Sequence, residues 1–135
     1  MTLKHSSHAR HELWYHVVWA TKYRKHVFLN PYIRDTTSEL LRDIARHYDM
    51  EIDTIKVLSD HVHCALRTPP RIAPAHAVQI LKSVSTRMLF ERFPGLRNEY
   101  WGGEIWIGGY FIRTIGTGIT KQQIDRYIEE QSEEY

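Results

Sequence analysis

The chain has 135 residues, of which 42% are hydrophobic and 25% charged, a balance typical of a folded domain that buries its own core. A single cysteine, Cys64, excludes a disulfide within the chain and predicts a reducing, cytoplasmic location. No apolar run reaches the length of a membrane span, and no signal peptide opens the chain. We therefore expect one domain over residues 1–135 and no membrane partner.

The charge distribution is uneven along the chain. The formal net charge is +2, and four glutamates lie within the last seven residues, so the preceding body is more basic than the total suggests. A mildly basic body with an acidic tail is compatible with a polyanionic partner, although an ordinary solvated surface explains it equally well.

The first predicted elements follow a polar segment, residues 1–10, which we interpret as a flexible arm. Residues 12–20 carry aromatic and β-branched side chains without a breaker, which predicts a central strand with two apolar faces. Asn30 and Pro31 then supply a cap and a first-turn proline for a helix that ends near Tyr48.

A hairpin and a long helix come next. Residues 50–58 and 61–67 have the composition of strands, and Ser59 and Asp60 form the turn between them. Residues 75–93 repeat apolar side chains at helical spacing, which predicts the longest helix of the chain.

The last predicted elements are a strand and a terminal helix. Residues 105–107 and 110–115 predict a fourth strand in two pieces. Thr120 and Gln123 form a capping-box pattern that starts a helix, and residues 119–135 comprise this helix and the acidic tail. The element order predicts an α+β fold, a ferredoxin-like βαββαβ antiparallel sheet with helices on one face and an additional C-terminal helix that carries a tyrosine.

Two histidines at the start of the third predicted strand are candidate metal ligands. Side chains alternate along a strand, so His61 and His63 point to the same face. Two imidazoles one strand repeat apart can bind one divalent metal such as manganese or zinc. With nine histidines in the chain, a structural role for the pair is an equal alternative. Asp60 is placed either to orient an imidazole or only to serve the turn.

Tyr127 lies on the terminal predicted helix, four residues before Gln131. Residues four apart share a helical face, so the amide oxygen of Gln131 can reach what the phenol reaches. Together with His61 and His63, this spacing predicts a tyrosine nucleophile assisted by a metal on the two imidazoles and the amide. Glu130 competes with Gln131 as a ligand, and packing of the tyrosine ring is the structural alternative.

A basic and aromatic run follows the first strand. Lys22, Tyr23, Arg24 and Lys25 combine cations that contact phosphates with a ring that can stack on an unpaired base. A solvated strand end is the alternative. Two cations of the longest helix are free for solvent or ligand and join the run as candidate DNA contacts: Lys82 and Arg87.

These motifs together resemble a known family. The segment 60–63 (Asp-His-Val-His) resembles the His-hydrophobic-His motif of the HUH nucleases. With the helix that carries Tyr127 and Gln131, it is similar to the small single-tyrosine transposases of bacterial and archaeal insertion sequences. The resemblance extends over nearly the whole chain, including an opening Tyr-His-Val-Val-Trp-Ala-Thr-Lys-Tyr-Arg segment and a later Gly-Tyr-Phe-Ile-Arg-Thr-Ile-Gly segment.

The resemblance implies a DNA transposase that cuts and rejoins single-stranded DNA at hairpin-flanked element ends. It implies that Tyr127 attacks the scissile phosphate to form a 5′-phosphotyrosine, and that His61, His63 and Gln131 bind Mg²⁺ or Mn²⁺. The implied partners are the DNA hairpins and a second copy of the chain, in a homodimer whose sheets join and whose active sites are shared.

Several alternatives remain open at this point. Gly116 and Gly118 are interpreted as a hinge ahead of the tyrosine helix, with plain turn glycines as the alternative. Tyr110 and Tyr135 rank below Tyr127 as nucleophiles because neither has a helical partner four residues on. The competing functions are a domesticated hairpin-DNA nuclease of the repeat-associated type, a non-catalytic ferredoxin-like nucleic-acid-binding module, and a small metalloenzyme with a low-molecular-weight substrate.

Overall fold

The computed structural model describes residues 5–6, 9–10, 13–100, 102–116 and 120–131. Within the predicted flexible arm, His5–Ser6 (β1) pairs with Ala9–Arg10 (β2) as a short antiparallel ladder. This local ladder does not test whether the arm is flexible, so that interpretation stays a prediction. The rest of the arm lies outside the described residues.

The main sheet consists of four antiparallel strands, β3 (Leu13–Ala20), β4 (Glu51–Val57), β5 (His61–Thr68) and β6 (Phe111–Thr114). Their order across the sheet is β4-β5-β3-β6. Strands β3 and β5 lie at the centre and pair along their whole lengths. With the helices between them, this order confirms the predicted ferredoxin-like α+β fold.

Two long helices, α1 (Pro31–His47) and α2 (Pro74–Arg92), cover one face of the sheet, and the short α3 (Lys121–Glu129) packs on the other. Along β5 the main core takes every second side chain, which places the remaining alternate side chains under α3. In the described part of the chain no helix is long and apolar enough to cross a membrane.

The predicted helix starts are confirmed. The side-chain oxygen of Asn30 accepts hydrogen bonds from the backbone of Tyr32 and Ile33, with proline in the first turn. At α3, Thr120 accepts from the backbone of Gln123 at 3.2 Å, and the Gln123 side chain accepts from the backbone of Thr120 at 2.9 Å. Helices α1 and α3 therefore begin at a residue whose side chain accepts hydrogen bonds from otherwise unpaired N–H groups of the first turn.

The fourth strand is shorter than predicted. Strand β6 is a single piece, whereas residues 105–107 contribute one isolated bridge between Thr21 and Trp106. The carbonyl oxygens of Ile107 and Gly109 instead accept hydrogen bonds from the Lys82 ammonium of α2, each at 2.8 Å. The Ile107 N–H still donates to the Ala20 carbonyl at 2.9 Å, but the Ile107 and Gly109 carbonyls are satisfied by α2, so no ladder continues through this segment.

Helix α3 rests on a small apolar patch. Ile124 and Ile128 are fully buried against Ala65 of β5, with Trp14 at the margin. Lys121 bonds Asp125 at 2.9 Å and also pairs with Asp53 of β4, and its ammonium lies 4.6 Å from the centre of the Trp14 ring. The position of the helix therefore depends on two isoleucines and one lysine cluster.

Replacing Ile124 with alanine should release α3 without unfolding the sheet. A buried isoleucine truncated to alanine loses about 2–5 kcal/mol of stabilisation, and this loss falls on the contact between α3 and β5. We expect backbone amides of α3 to exchange with deuterium roughly 30-fold faster or more, while those of β3 and β5 keep their protection. Gln122→Ala, on the exposed side of α3, is the matched control, and equal exchange rates in the two variants would contradict this account.

Cys64 should be chemically silent in the folded protein. It is fully buried in the core beneath α1 and α2, and burial raises the pKa of its thiol to about 12. The neutral thiol is the favoured folded form, so its contribution to stability is present below the unfolded pKa and declines as the pH rises towards 12. We expect iodoacetamide to leave the native protein unlabelled between pH 7 and 9 and to label it fully in guanidinium chloride. Native labelling that accelerates with pH would show an accessible thiolate.

Candidate active site

The two histidines of the segment 60–63 lie together on the face of the sheet that carries α3. Their pairing with β3 sets them opposite Ala20 and Val18, and their ring centres are 5.0 Å apart. Two imidazoles that share one metal at roughly a right angle have ring centres on the order of 4.5 to 5 Å apart. His61 and His63 therefore have the separation that a shared divalent cation requires.

Asp60 orients the first of these rings. Its Oδ1 lies 2.7 Å from Nδ1 of His61, and its Oδ2 accepts a hydrogen bond of 2.8 Å from Nε of Arg24. With the Nδ1 proton donated to the carboxylate, Nε2 of His61 is the nitrogen left to bind a metal. Burial raises the pKa of Asp60, but the bonds from His61 and Arg24 outweigh burial and hold that pKa below its ordinary value.

The basic run reaches this network through a strained turn. Tyr23 and Arg24 have φ angles of 62° and 52°, in the left-handed region that side chains with a Cβ rarely adopt. Such a conformation costs about 1–2 kcal/mol per residue and persists where surrounding contacts fix it. Here the Arg24 guanidinium is anchored to Asp60, so this predicted DNA contact is a structural support of the histidine site.

Tyr127 lies beside the same histidines, as its predicted role requires. Its ring centre is 6.1 Å from that of His63, in an edge-on arrangement, and the side chain is 48% exposed. Ile124 and Ile128 bury the adjacent stripe of α3, which leaves Tyr127 at the border between the sheet and solvent. The phenol and the imidazoles meet within one chain.

A third imidazole, His16 of β3, is also present and was not predicted from the sequence. Its Nε2 lies 3.2 Å from Nδ1 of His63, and its ring centre is 5.6 Å from that of Tyr127. The available signal was that His16 alternates with the apolar residues of a strand expected to be central. Only the register that pairs Val18 with His63 brings His16 to the site.

Burial favours the neutral form of both buried imidazoles. Burial, followed by the neighbouring His61 and His16, lowers the pKa of His63 to about 4. Burial, followed by the Arg113 guanidinium, lowers the pKa of His16. A neutral imidazole has a lone pair to offer, and this is the form that binds a metal.

Gln131 is not placed with the histidines. Its amide nitrogen donates to the carbonyl oxygen of Tyr127 at 3.1 Å, and its side chain lines a cavity beside Arg34 of α1 and Lys56 of β4. Among the contacts of the described residues, none joins Gln131 to His61 or His63. Its role as a ligand therefore stays a prediction and requires the side chain to turn from this edge of the sheet.

Two of the protein ligands that a divalent cation would need are in place. Within the described ranges, no group of three or more His, Cys, Asp or Glu side chains is arranged to hold a metal ion. His61 and His63 offer two imidazoles, and a third protein ligand has to come from an amide such as Gln131. Glu130, the predicted competitor, caps α3 as an exposed residue.

Most of the other predicted DNA contacts lie away from the histidines. Lys82 and Arg87 are on α2, across the sheet, and the Lys82 ammonium is not free as predicted, because it binds two backbone carbonyls. The Lys82 ammonium lies 5.5 Å from the centre of the Tyr110 ring, which places this phenol beside α2. Lys22 pairs with Glu104 at 3.5 Å.

Of the two glycines that were predicted to form a hinge, the structure describes Gly116. Gly116 has a φ of +112°, which favours glycine, and a Cβ there would meet no atom within 4 Å. Gly118 and the alternative nucleophile Tyr135 lie outside the described residues.

Comparison with known proteins supplies the family. Residues 9–131 match the family model described as IS200-like transposase. The chain is 38% identical over 121 residues to the ISDra2 transposase TnpA of Deinococcus radiodurans, covering 90% of this chain and 85% of that protein. It is 33% identical over 131 residues to the IS200 transposase of Salmonella typhimurium, covering 97% and 84%.

Solved structures agree with this assignment. A crystal structure of a protein from Deinococcus radiodurans R1 that is assigned as a transposase has a TM-score of 0.76 and 36% identity, covering 96% of this chain and 98% of that one. A REP-associated tyrosine transposase bound to a REP hairpin has a TM-score of 0.55 at 15% identity, covering 96% and 69%, and it supports the fold alone. Because the family model spans almost the entire length and relatives of more than 30% identity are covered nearly end to end, this chain belongs to the family of IS200-like transposases.

Proposed function

We propose that this transposase cleaves and rejoins single-stranded DNA at hairpin-flanked ends through a 5′-phosphotyrosine on Tyr127, with a divalent metal, Mg²⁺ or Mn²⁺, as cofactor. The observation that carries the proposal is the position of the half-exposed Tyr127 ring beside His63. A phenol at the open border of the sheet is accessible to a DNA strand, and the neutral imidazoles next to it are suited to a metal.

The proposed reaction keeps the number of phosphodiester bonds constant. The phenol of Tyr127 gives up its proton as its oxygen attacks phosphorus. The bond from phosphorus to the 3′ oxygen breaks, and that oxygen takes up a proton and leaves as a 3′-hydroxyl. In the reverse sense, a 3′-hydroxyl attacks the phosphotyrosine and the phenol is released. Each step exchanges one phosphodiester for another, so rejoining requires no nucleotide cofactor.

The metal would be held by His61 and His63, with Gln131 as the proposed third ligand. A divalent cation there supplies positive charge that stabilises the negative charge developing on the phosphate oxygens. The protein contributes rigidity, because the Asp60 carboxylate fixes the ring of His61 and the Arg24 guanidinium fixes Asp60.

Hairpin recognition is proposed from the family and from a neighbour in fold. One solved relative is bound to a REP hairpin, and the basic body of this chain is compatible with a polyanion. Tyr23 is 60% exposed on a turn next to Lys22 and Lys25, so it is the best-placed aromatic of this run for stacking on an unpaired base. Arg87 would contact a duplex that passes over the α2 side, whereas the Lys82 ammonium would first have to leave the carbonyls of Ile107 and Gly109.

Tyr127→Phe should abolish covalent capture of DNA. We expect the native protein, incubated with a 3′-labelled single-stranded hairpin oligonucleotide and Mn²⁺, to form a labelled protein–DNA species that survives denaturing electrophoresis. Removal of the phenolic oxygen removes the attacking atom, and Mn²⁺ removal with EDTA should suppress the species as well. His61→Ala and His63→Ala should do the same by removing ligands.

Tyr110→Phe is the matched control, because it removes a phenol from the α2 side and should leave the adduct intact. An adduct that persists in Tyr127→Phe would assign the nucleophile elsewhere. Hairpin binding without any adduct in the native protein would favour a non-catalytic binding module. An active enzyme from a locus that lacks paired hairpin ends would favour the domesticated nuclease.

We further propose a homodimer whose active sites are shared by exchange of α3 through a hinge at Gly116 and Gly118. The small apolar patch under α3 supports such an exchange. Mixing Tyr127→Phe protein with His63→Ala protein should restore adduct formation, since one protomer supplies the phenol and its partner the imidazoles.

The double variant Gly116→Ala/Gly118→Ala should lower strand rejoining several-fold, with Gly108→Ala as control. Failure of the mixture to react, and full rejoining by the glycine variant, would contradict exchange.

A further inference from the structure

We propose that His16 is a positioning residue of the proposed metal site. Its Nε2 accepts a hydrogen bond from Nδ1–H of His63, which leaves Nε2 of His63 to face the cation. The inference rests on the metal site of the proposed function and gives a role to His16, which lies in the opening segment of the resemblance but was assigned none there.

The contact is a direct one between two buried rings. Nε2 of His16 and Nδ1 of His63 are 3.2 Å apart, and the two rings are inclined by only 19°. His16 is 3% and His63 7% exposed, so water does not compete freely for this bond. The edges of Phe111 and Tyr127 lie against the His16 ring and hold it in place.

The proton count decides what this contact does. A hydrogen bond between two ring nitrogens needs one proton between them, either on Nδ1 of His63 or on Nε2 of His16. A metal requires a lone pair on its ligand nitrogen, and Nδ1 of His63 is already engaged. When His63 carries its proton on Nδ1, it donates to His16 and leaves Nε2 bare. His16 therefore stabilises the one neutral form of His63 that can bind a cation.

The two ligand histidines are then held in the same way by different groups. His61 has its Nδ1 against the Asp60 carboxylate at 2.7 Å, and His63 has its Nδ1 against His16 at 3.2 Å. In each ring Nε2 is then the nitrogen left for the cation. Partners of this kind fix ring orientation and ligand basicity, and their loss lowers metal affinity by roughly 10- to 100-fold.

His16 is not itself placed as a third ligand. Its Nε2 is engaged with His63, and its Nδ1 is buried without a hydrogen-bond partner in the described part of the chain. Among the contacts of the described residues, none joins His16 to His61.

Three substitutions separate positioning from packing. His16→Phe keeps an aromatic ring against Tyr127 and removes the acceptor. His16→Gln sets an amide oxygen near the former Nε2 position, whereas His16→Asn is one bond too short. We expect calorimetry with Mn²⁺ alone to show a dissociation constant raised roughly 10- to 100-fold for His16→Phe and His16→Asn. We expect His16→Gln to stay within about threefold of the native value.

Nitrogen-15 NMR of the native protein tests the same point without any substitution. The spectrum of His63 should show the proton on Nδ1, both in the metal-free protein and with diamagnetic Zn²⁺ bound at Nε2. This measurement stands even if a variant fails to fold, which thermal unfolding of each variant would reveal. A proton on Nε2 of His63, or Mn²⁺ affinity of folded His16→Phe within threefold of native, would overturn the proposal.

Failure of this inference is distinguishable from failure of the proposed function, since neither measurement uses DNA. If native protein binds no Mn²⁺, the inference and the proposed metal both fall, while the Tyr127 adduct is tested separately. If no adduct forms but the His16 variants lose Mn²⁺ affinity as expected, the positioning role stands and the DNA reaction is wrong.

Discussion

The pairing of β3 with β5 is the interaction on which the rest of the site depends. These two central strands are in register from Leu13 opposite Thr68 to Ala20 opposite His61. A shift by one residue would send the histidines of β5 into the core beneath α1 and α2 and bring Cys64 to the other face. The register is fixed because the alternate residues of both strands are the apolar centre of the domain, so core packing and site assembly are set by the same pairing.

Tyr127 is carried by α3, a helix that makes few stabilising contacts with the sheet. Helix α3 has a strong N-terminal cap but buries only Ile124 and Ile128 against β5, with Lys121 linking it to β4. Such a helix has a defined start and a weakly held body. The imidazoles therefore have fixed positions, whereas the phenol has a position that depends on docking, which suits a nucleophile that has to attack and later be released.

The histidine face also shows how a polar site is tolerated over a packed sheet. Asp60 is buried but accepts bonds from both Arg24 and His61, and the strained backbone at Tyr23 and Arg24 is fixed by that contact. His63 is kept neutral by burial, which avoids the cost of an unpaired buried charge. The strained backbone at Tyr23 and Arg24 and the desolvated ring of His63 thus lie at the site of the proposed chemistry.

The sequence by itself determined the order of the elements, the caps at Asn30 and Thr120, and the shared face of His61 and His63, because each depends on spacing within one segment. Only the tertiary structure decided that His16 bonds His63, because strand register is set by packing between distant segments.

It also decided that Gln131 turns to the edge of β4 and that Lys82 binds the carbonyls of the 107–109 segment. Helical spacing fixes the direction in which a side chain leaves its helix, but the partners it meets come from elsewhere in the chain. Local pattern therefore supplied the candidate site residues, and long-range packing selected which of them meet.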